Sequence, residues 1–115
     1  MTPTTFTSLD AVTAAAQNGA SKTMRRAEHI TVELRYTYTG ANPPTAVNVV
    51  LEGRIDANEF AQIGNAMTDL PTVDTGDSLR YDFAKGYYGE VRLRNPTMTG
   101  GTATALTGKI TFGGD

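Results

Sequence analysis

Cysteine and tryptophan are both missing from this 115-residue sequence, and histidine occurs once, as His29. Without cysteine there are neither disulfides nor thiolate metal sites. With a single imidazole, a zinc site would have to take nearly all its ligands from carboxylates, an uncommon set for that metal. No apolar run approaches the roughly 18 residues that suggest a membrane-spanning helix. The segment Met1–Asp10 has neither the basic start nor the long apolar core of a secretory signal. These absences set the expectation of a chain made and folded in the cytoplasm of whichever cell expresses it, with no membrane partner. A surplus of one charge is lacking too: ten basic residues face twelve acidic ones, for a formal net charge of -2. Arg25-Arg26 is the only basic pair close in sequence to a lysine, Lys22, and a nucleic-acid surface carries a denser patch interleaved with aromatics. No nucleic-acid partner is expected.

What the chain does have is a period of two. Ile30, Val32, Leu34, Tyr36 and Tyr38 alternate with Thr31, Glu33, Arg35, Thr37 and Thr39. Successive side chains of a strand point to opposite faces, so this is a half-buried antiparallel strand. The Gly40-Ala41-Asn42-Pro43-Pro44 break precedes a second strand from Thr45 to Gly53, with Val47, Val49 and Leu51 facing one way. Val50, on its other face, hints that part of the far side is covered. Ser78–Phe83, Gly89–Asn95 and Leu106–Phe112 repeat the pattern, and Gly108 at an inward place signals a bulge or close packing. Turn residues separate the runs, at Asn18-Gly19, Thr75-Gly76-Asp77, Lys85-Gly86 and Thr99-Gly100-Gly101.

Helical signal is weak. Ala14-Ala15-Ala16 is flanked by β-favouring residues, whereas Phe60, Ile63 and Met67 have helical spacing behind Asn58 as a cap, predicting a turn or two of helix over Asn58–Met67. The sum is an all-β chain: an antiparallel β-sandwich or jelly roll of roughly seven to eight strands with at most one short helix. Residues 1–115 are read as a single domain. Residues 1–8, rich in threonine and carrying Phe6, are read as an extended or disordered N-terminal arm, either a tail or a strand donated to a neighbour.

Each kind of catalytic chemistry lacks its residues. His29 falls in phase with Thr31 and Glu33 at a strand start, an outward surface position with no nucleophile to serve. Asp56-Ala57-Asn58-Glu59 has oxygen ligands at loop spacing but lacks the alternation and the glycine of an EF-hand loop, so it reads as a solvated turn. Gly100-Gly101 and Gly113-Gly114 do not form a phosphate-cradling loop. No catalytic residue, cofactor or metal is expected. The candidates that remain belong to interaction: Phe6, Arg25, Arg26, Asn58, Phe60, Tyr87 and Tyr88. Two consecutive tyrosines beside glycines place one inward and one outward, and exposed tyrosine is favoured at interfaces.

From about Ile30 onward the sequence resembles a family of small β-sandwich virion proteins of tailed bacteriophages. The first matching piece is Val49-Val50-Leu51-Glu52-Gly53-Arg54-Ile55-Asp56-Ala57, followed by Phe60 where that family has tryptophan, and then Ile63-Gly64. The second is Tyr88-Gly89-Glu90-Val91-Arg92-Leu93-Arg94, then Met98-Thr99-Gly100-Gly101-Thr102 and the closing strand through Thr111. Arg54 stands in place of the family's serine and Ala57 in place of its turn glycine. The resemblance implies a virion structural protein, foremost a head decoration (cement) protein bound to the major capsid protein. It also implies a homo-oligomer, commonly a trimer. Other expectations are a neck, tail, baseplate or fibre component, and a carbohydrate- or receptor-binding module, which would need an exposed aromatic platform.

Overall fold

Strand β5 (His29–Thr37) shows how the alternation builds the core. In the computed structural model Ile30, Val32, Leu34 and Tyr36 are buried, while His29, Arg35 and Thr37 are exposed. The structure describes residues 3–24, 26–27, 29–38, 44–55, 59–72, 76–83, 86–87, 89–100 and 105–113.

Two sheets stack face to face, with every pairing antiparallel. The first has four strands in the order β1 (Thr4–Val12), β11 (Ala105–Gly113), β5 and β8 (Ser78–Phe83). The second has five: β2 (Gln17–Asn18), β10 (Glu90–Gly100), β6 (Pro44–Arg54) and β7 (Ala61–Met67), with β3 (Lys22–Thr23) also on β10. Because β2 pairs with Arg94 and Asn95 while β3 pairs with Glu90 and Val91, the two short strands are halves of one interrupted edge. A separate two-stranded ladder joins β4 (Arg26–Ala27) to β9 (Gly86–Tyr87). Among the described residues seven strands have six residues or more, and Leu70–Thr72 forms one 3-10 turn. The all-β sandwich read from the sequence is the observed fold.

The core lies between the sheets. Leu9, Val32, Leu34, Leu106 and Ile110 from the first meet Val47, Val49, Leu51, Val91 and Leu93 from the second, with Leu70 of the 3-10 turn also in the cluster. Gly108 sets the spacing at its centre. It pairs with Leu34 across the ladder, and a Cβ built on it would lie 2.6 Å from Leu93 Cδ1 and 3.2 Å from Leu34 Cδ2. The missing side chain therefore admits Leu93 from the opposite sheet, the close-packing option of the two read from the sequence.

Two polar residues are buried among these side chains, and each is satisfied. Ser8 is the extra residue of a bulge in β1, between the pairs Thr7–Lys109 and Leu9–Gly108. Its Oγ accepts from the Leu93 amide at 2.8 Å and donates to the Ala20 carbonyl at 2.7 Å. Asn95 sits at a bulge in β10 beside Pro96, where one extra residue separates the Arg94–Val50 and Thr97–Asn48 pairs. Its Oδ1 accepts from the Gln17 amide at 3.0 Å, and its Nδ2 donates to the Ala14 carbonyl at 2.9 Å. A strand proline is tolerated at such a bulge because no ladder bond is required there.

Two segments differ from expectation. Phe60–Met67 is not helical: Ala61–Met67 is edge strand β7, paired with β6. A spacing of four is common to a helix face and a strand face, and here Ile63 and Met67 face Leu51 and Val49 across the ladder. The two surplus residues between them form a bulge around Gly64, whose φ of 68° a side chain would disfavour. The cap expected of Asn58 lies outside the described residues. At the other end, the chain from Thr4 onward is β1, paired with β11 of its own chain and carrying Leu9 into the core.

The Gly108 contact yields a stability prediction. Gly108→Ala forces a methyl against Leu93 and Leu34, and overpacking of this kind costs about 1–3 kcal/mol. A urea midpoint unchanged from wild type would show that the sheets have room to separate there.

Candidate interaction surfaces

The outer face of the five-stranded sheet is built by the polar alternates of β6 and β10. Register places Glu52 opposite Arg92 and Arg54 opposite Glu90, so neighbouring rows carry opposite polarity. Arg54 donates to Glu90 Oε1 through Nε at 3.1 Å and Nη2 at 2.6 Å, and Ser21 Oγ donates to Glu90 Oε2 at 2.7 Å. Arg92 Nε donates to Glu52 Oε1 at 2.9 Å. The Phe60 ring lies against both cations, its centroid 3.8 Å from the Arg92 guanidinium carbon and 4.6 Å from that of Arg54. A guanidinium over an aromatic face is worth about 0.5–1 kcal/mol at an accessible site. These half-buried side chains form one self-neutralised plate, stiffened by cross-strand pairs.

Phe60 was expected as a contact residue, and the structure shows what its ring already touches. The two sequence pieces that carried the resemblance, Val49–Ala57 and Tyr88–Arg94, meet here as adjacent strands for their described residues. Arg54, a departure from the family pattern, supplies one of the two cations on the ring. Val50, on the same outward side of β6, is only 7% exposed, in line with the covered far face its position hinted at.

Phe6 is half-buried on β1, edge-on to Phe112 at 6.3 Å with the Lys22 ammonium 5.9 Å from its ring centre. It thus contacts both its own sheet and β3 of the other. Arg26 and Tyr87 are brought directly opposite each other in the β4–β9 ladder. Arg25, Asn58 and Tyr88 lie outside the described residues, as do the side chains of Arg26 and Tyr87. Sequence reasoning missed Ile55, the exposed large apolar side chain among the described residues, at 56%. Its signal was an apolar residue just past the last ladder position of β6.

The outer face of the four-stranded sheet is a second polar surface. One row runs Thr5, Thr111, Thr31, Asp82 and the next Thr7, Lys109, Glu33, Arg80, each across all four strands. Thr5 and Thr111 hydroxyls lie 2.8 Å apart, Thr31 donates to Asp82 Oδ1 at 2.8 Å, and Arg80 Nε lies 3.4 Å from Glu33 Oε2.

For chemistry these surfaces offer little. Among the described residues no three His, Cys, Asp or Glu side chains gather to hold a metal ion. The Tyr81 hydroxyl donates to Asp69 Oδ2 at 2.9 Å, and burial together with that hydrogen bond raises its pKa above the ordinary 10.0, away from phenolate character. What the geometry offers is two broad sheet faces, one of them carrying a charge-paired plate.

No protein-family model matches the sequence, and no curated protein does. Among solved structures, the crystal structure of SPBc2 prophage-derived protein YomS matches with a TM-score of 0.60 at 16% sequence identity. The match covers 96% of this chain and 93% of that one. The likeness is one of fold. It runs through nearly the whole of both chains, so the sandwich is common to them with no large addition to either.

The plate also makes stability depend on pH. The hydrogen bonds from Arg54, and then from Ser21, hold the Glu90 pKa below its ordinary 4.5. A depressed carboxylate pKa contributes stability that is present above the unfolded value and is lost as pH falls through the folded one. Glu90→Gln is therefore expected to be less stable than wild type at neutral pH, with the gap closing as pH falls below 4.5. Urea midpoints across that range check this, and a gap independent of pH would contradict it.

Proposed function

We propose that this chain is a structural protein of a tailed-bacteriophage particle, and within it a head decoration protein that binds and stabilises the major capsid shell. The observation that carries the reading is the fold shared over 96% of the chain with a prophage-derived protein. Two features of the molecule support it. Its broad faces are sheet surfaces, one of them carrying a plate of cross-strand ion pairs, and such faces suit docking by many modest contacts around a few anchors. Ile55 is an apolar side chain already at the surface, available as one such anchor.

The carbohydrate-binding reading needs an exposed aromatic platform, and Phe60, the ring best placed on a sheet face, is spanned by Arg54 and Arg92. Binding to other virion proteins fits this surface better.

The test is addition of purified protein to expanded capsids that lack it. Decoration and increased heat resistance of the shell are expected. Undecorated capsids, with binding to tails or baseplates instead, would move the protein elsewhere in the particle. Ile55→Asp is expected to weaken capsid binding about tenfold or more, as loss of an anchor does, with little effect on the folded chain. Unchanged affinity would remove Ile55 from the interface.

A further inference from the structure

We propose that a second copy of this chain pairs with strand β8 across a two-fold axis, joining two four-stranded sheets into one continuous eight-stranded sheet. The proposal goes beyond the particle assignment above and does not depend on it.

The argument begins from the sheet edges. An edge strand presents unpaired backbone donors and acceptors, and proteins blunt such edges with bulges, very short strands, charged side chains or a covering segment. The edge at β1 carries two register shifts and a positive φ of 49° at Ala11. The edge at β7 carries the Gly64 bulge, with Gln62 Nε2 turned back onto the Gly64 carbonyl at 3.0 Å. The edge at β2 and β3 is broken into two-residue pieces. Only β8 differs among the described residues. It runs six residues in unshifted register with β5, and no strand pairs on its other side.

The sequence of β8 is complementary to itself in one register. Antiparallel pairing centred on Tyr81 sets Arg80 opposite Asp82 of the second copy and Asp82 opposite its Arg80. The same register places Leu79 opposite Phe83 on the inner face. Opposite charges directly across a ladder stabilise and like charges destabilise. Within one chain these groups have room for such partners: the Arg80 side chain is 77% exposed and touches Glu33 only at 3.4 Å, and Asp82 is exposed with Thr31 on its Oδ1. In the joined sheet Arg80 would lie between Glu33 of its own chain and Asp82 of the second copy. Leu79, Tyr81 and Phe83 are only partly buried now and would gain cover from the same residues of the second copy.

Sedimentation of the purified 115-residue chain over a range of concentrations tests the pairing. A reversible dimer is expected for wild type. Arg80→Asp sets two aspartates face to face and Asp82→Arg sets two arginines, so each alone is expected to dimerise about tenfold or more weakly. Mixing the two variants restores opposite charges at both contacts, and a heterodimer of near wild-type affinity is expected. A wild-type chain that stays monomeric, variants that dimerise as wild type does, or a mixture no tighter than its components would each overturn the proposal. The mixture also separates lost pairing from lost folding, because a misfolded variant could not be rescued by its partner.

Discussion

The Ser8 hydroxyl is buried where the two sheets close on each other, and it binds both. Its carbon skeleton belongs to β1 of the four-stranded sheet, yet it accepts the amide of Leu93 from β10 of the five-stranded one. The Ser8 carbonyl takes the Ala20 amide at 2.7 Å while Leu93's own carbonyl takes that of Gly19 at 2.7 Å. One bulge therefore supplies a partner for the buried Leu93 amide, which the interruption between β2 and β3 would otherwise leave unpaired at a cost of about 1–3 kcal/mol, and anchors the Ala20 backbone through both its amide and its carbonyl. Asn95 performs the same service one turn of chain away. It holds Ala14 and Gln17, and its carbonyl accepts the amide of Ala16, a residue in the left-handed region at φ 61°. With those bonds satisfied the sandwich closes along that side, and Leu9 can enter the core beside Gly108.

How much of this was legible in the sequence follows from the physics of each part. The strands of regular alternation could be read directly, because Ile30–Tyr36 buries every second side chain and Val47, Val49 and Leu51 do the same, with Val50 covered on the outer face as well. The bulged strands could not. In β1 the consecutive residues Ser8 and Leu9 are both buried, one in a polar contact and one in the core, which no period of two predicts. In β7 the spacing of Ile63 and Met67 satisfied two periods at once, and only pairing with β6 chose between them. Phe60 was visible as a contact residue, but its partners Arg54 and Arg92 come from strands that only the fold makes adjacent. Asn95 was invisible for a simpler reason: an Asn-Pro pair ordinarily marks a turn, and here it marks a bulge inside β10, in its ladder with β6.

The surfaces that result are settled rather than reactive. On the five-stranded sheet each charge of the plate has its counter-charge in the facing strand, so its long-range field is small and recognition depends on shape and close contact. On the four-stranded sheet the threonine and charge rows run across all four strands and stop at β8. Such surfaces suit a protein that works by position and contact. That fits the proposed place in a phage particle, where many copies of a small sandwich add area to a larger shell.

The most direct measurement of that account is the protein composition of purified particles after heads and tails are separated. The account predicts this chain in the head fraction, in a fixed ratio to the major capsid protein. Its absence from both fractions, with the chain found only free in the infected cell, would contradict a structural role in the particle.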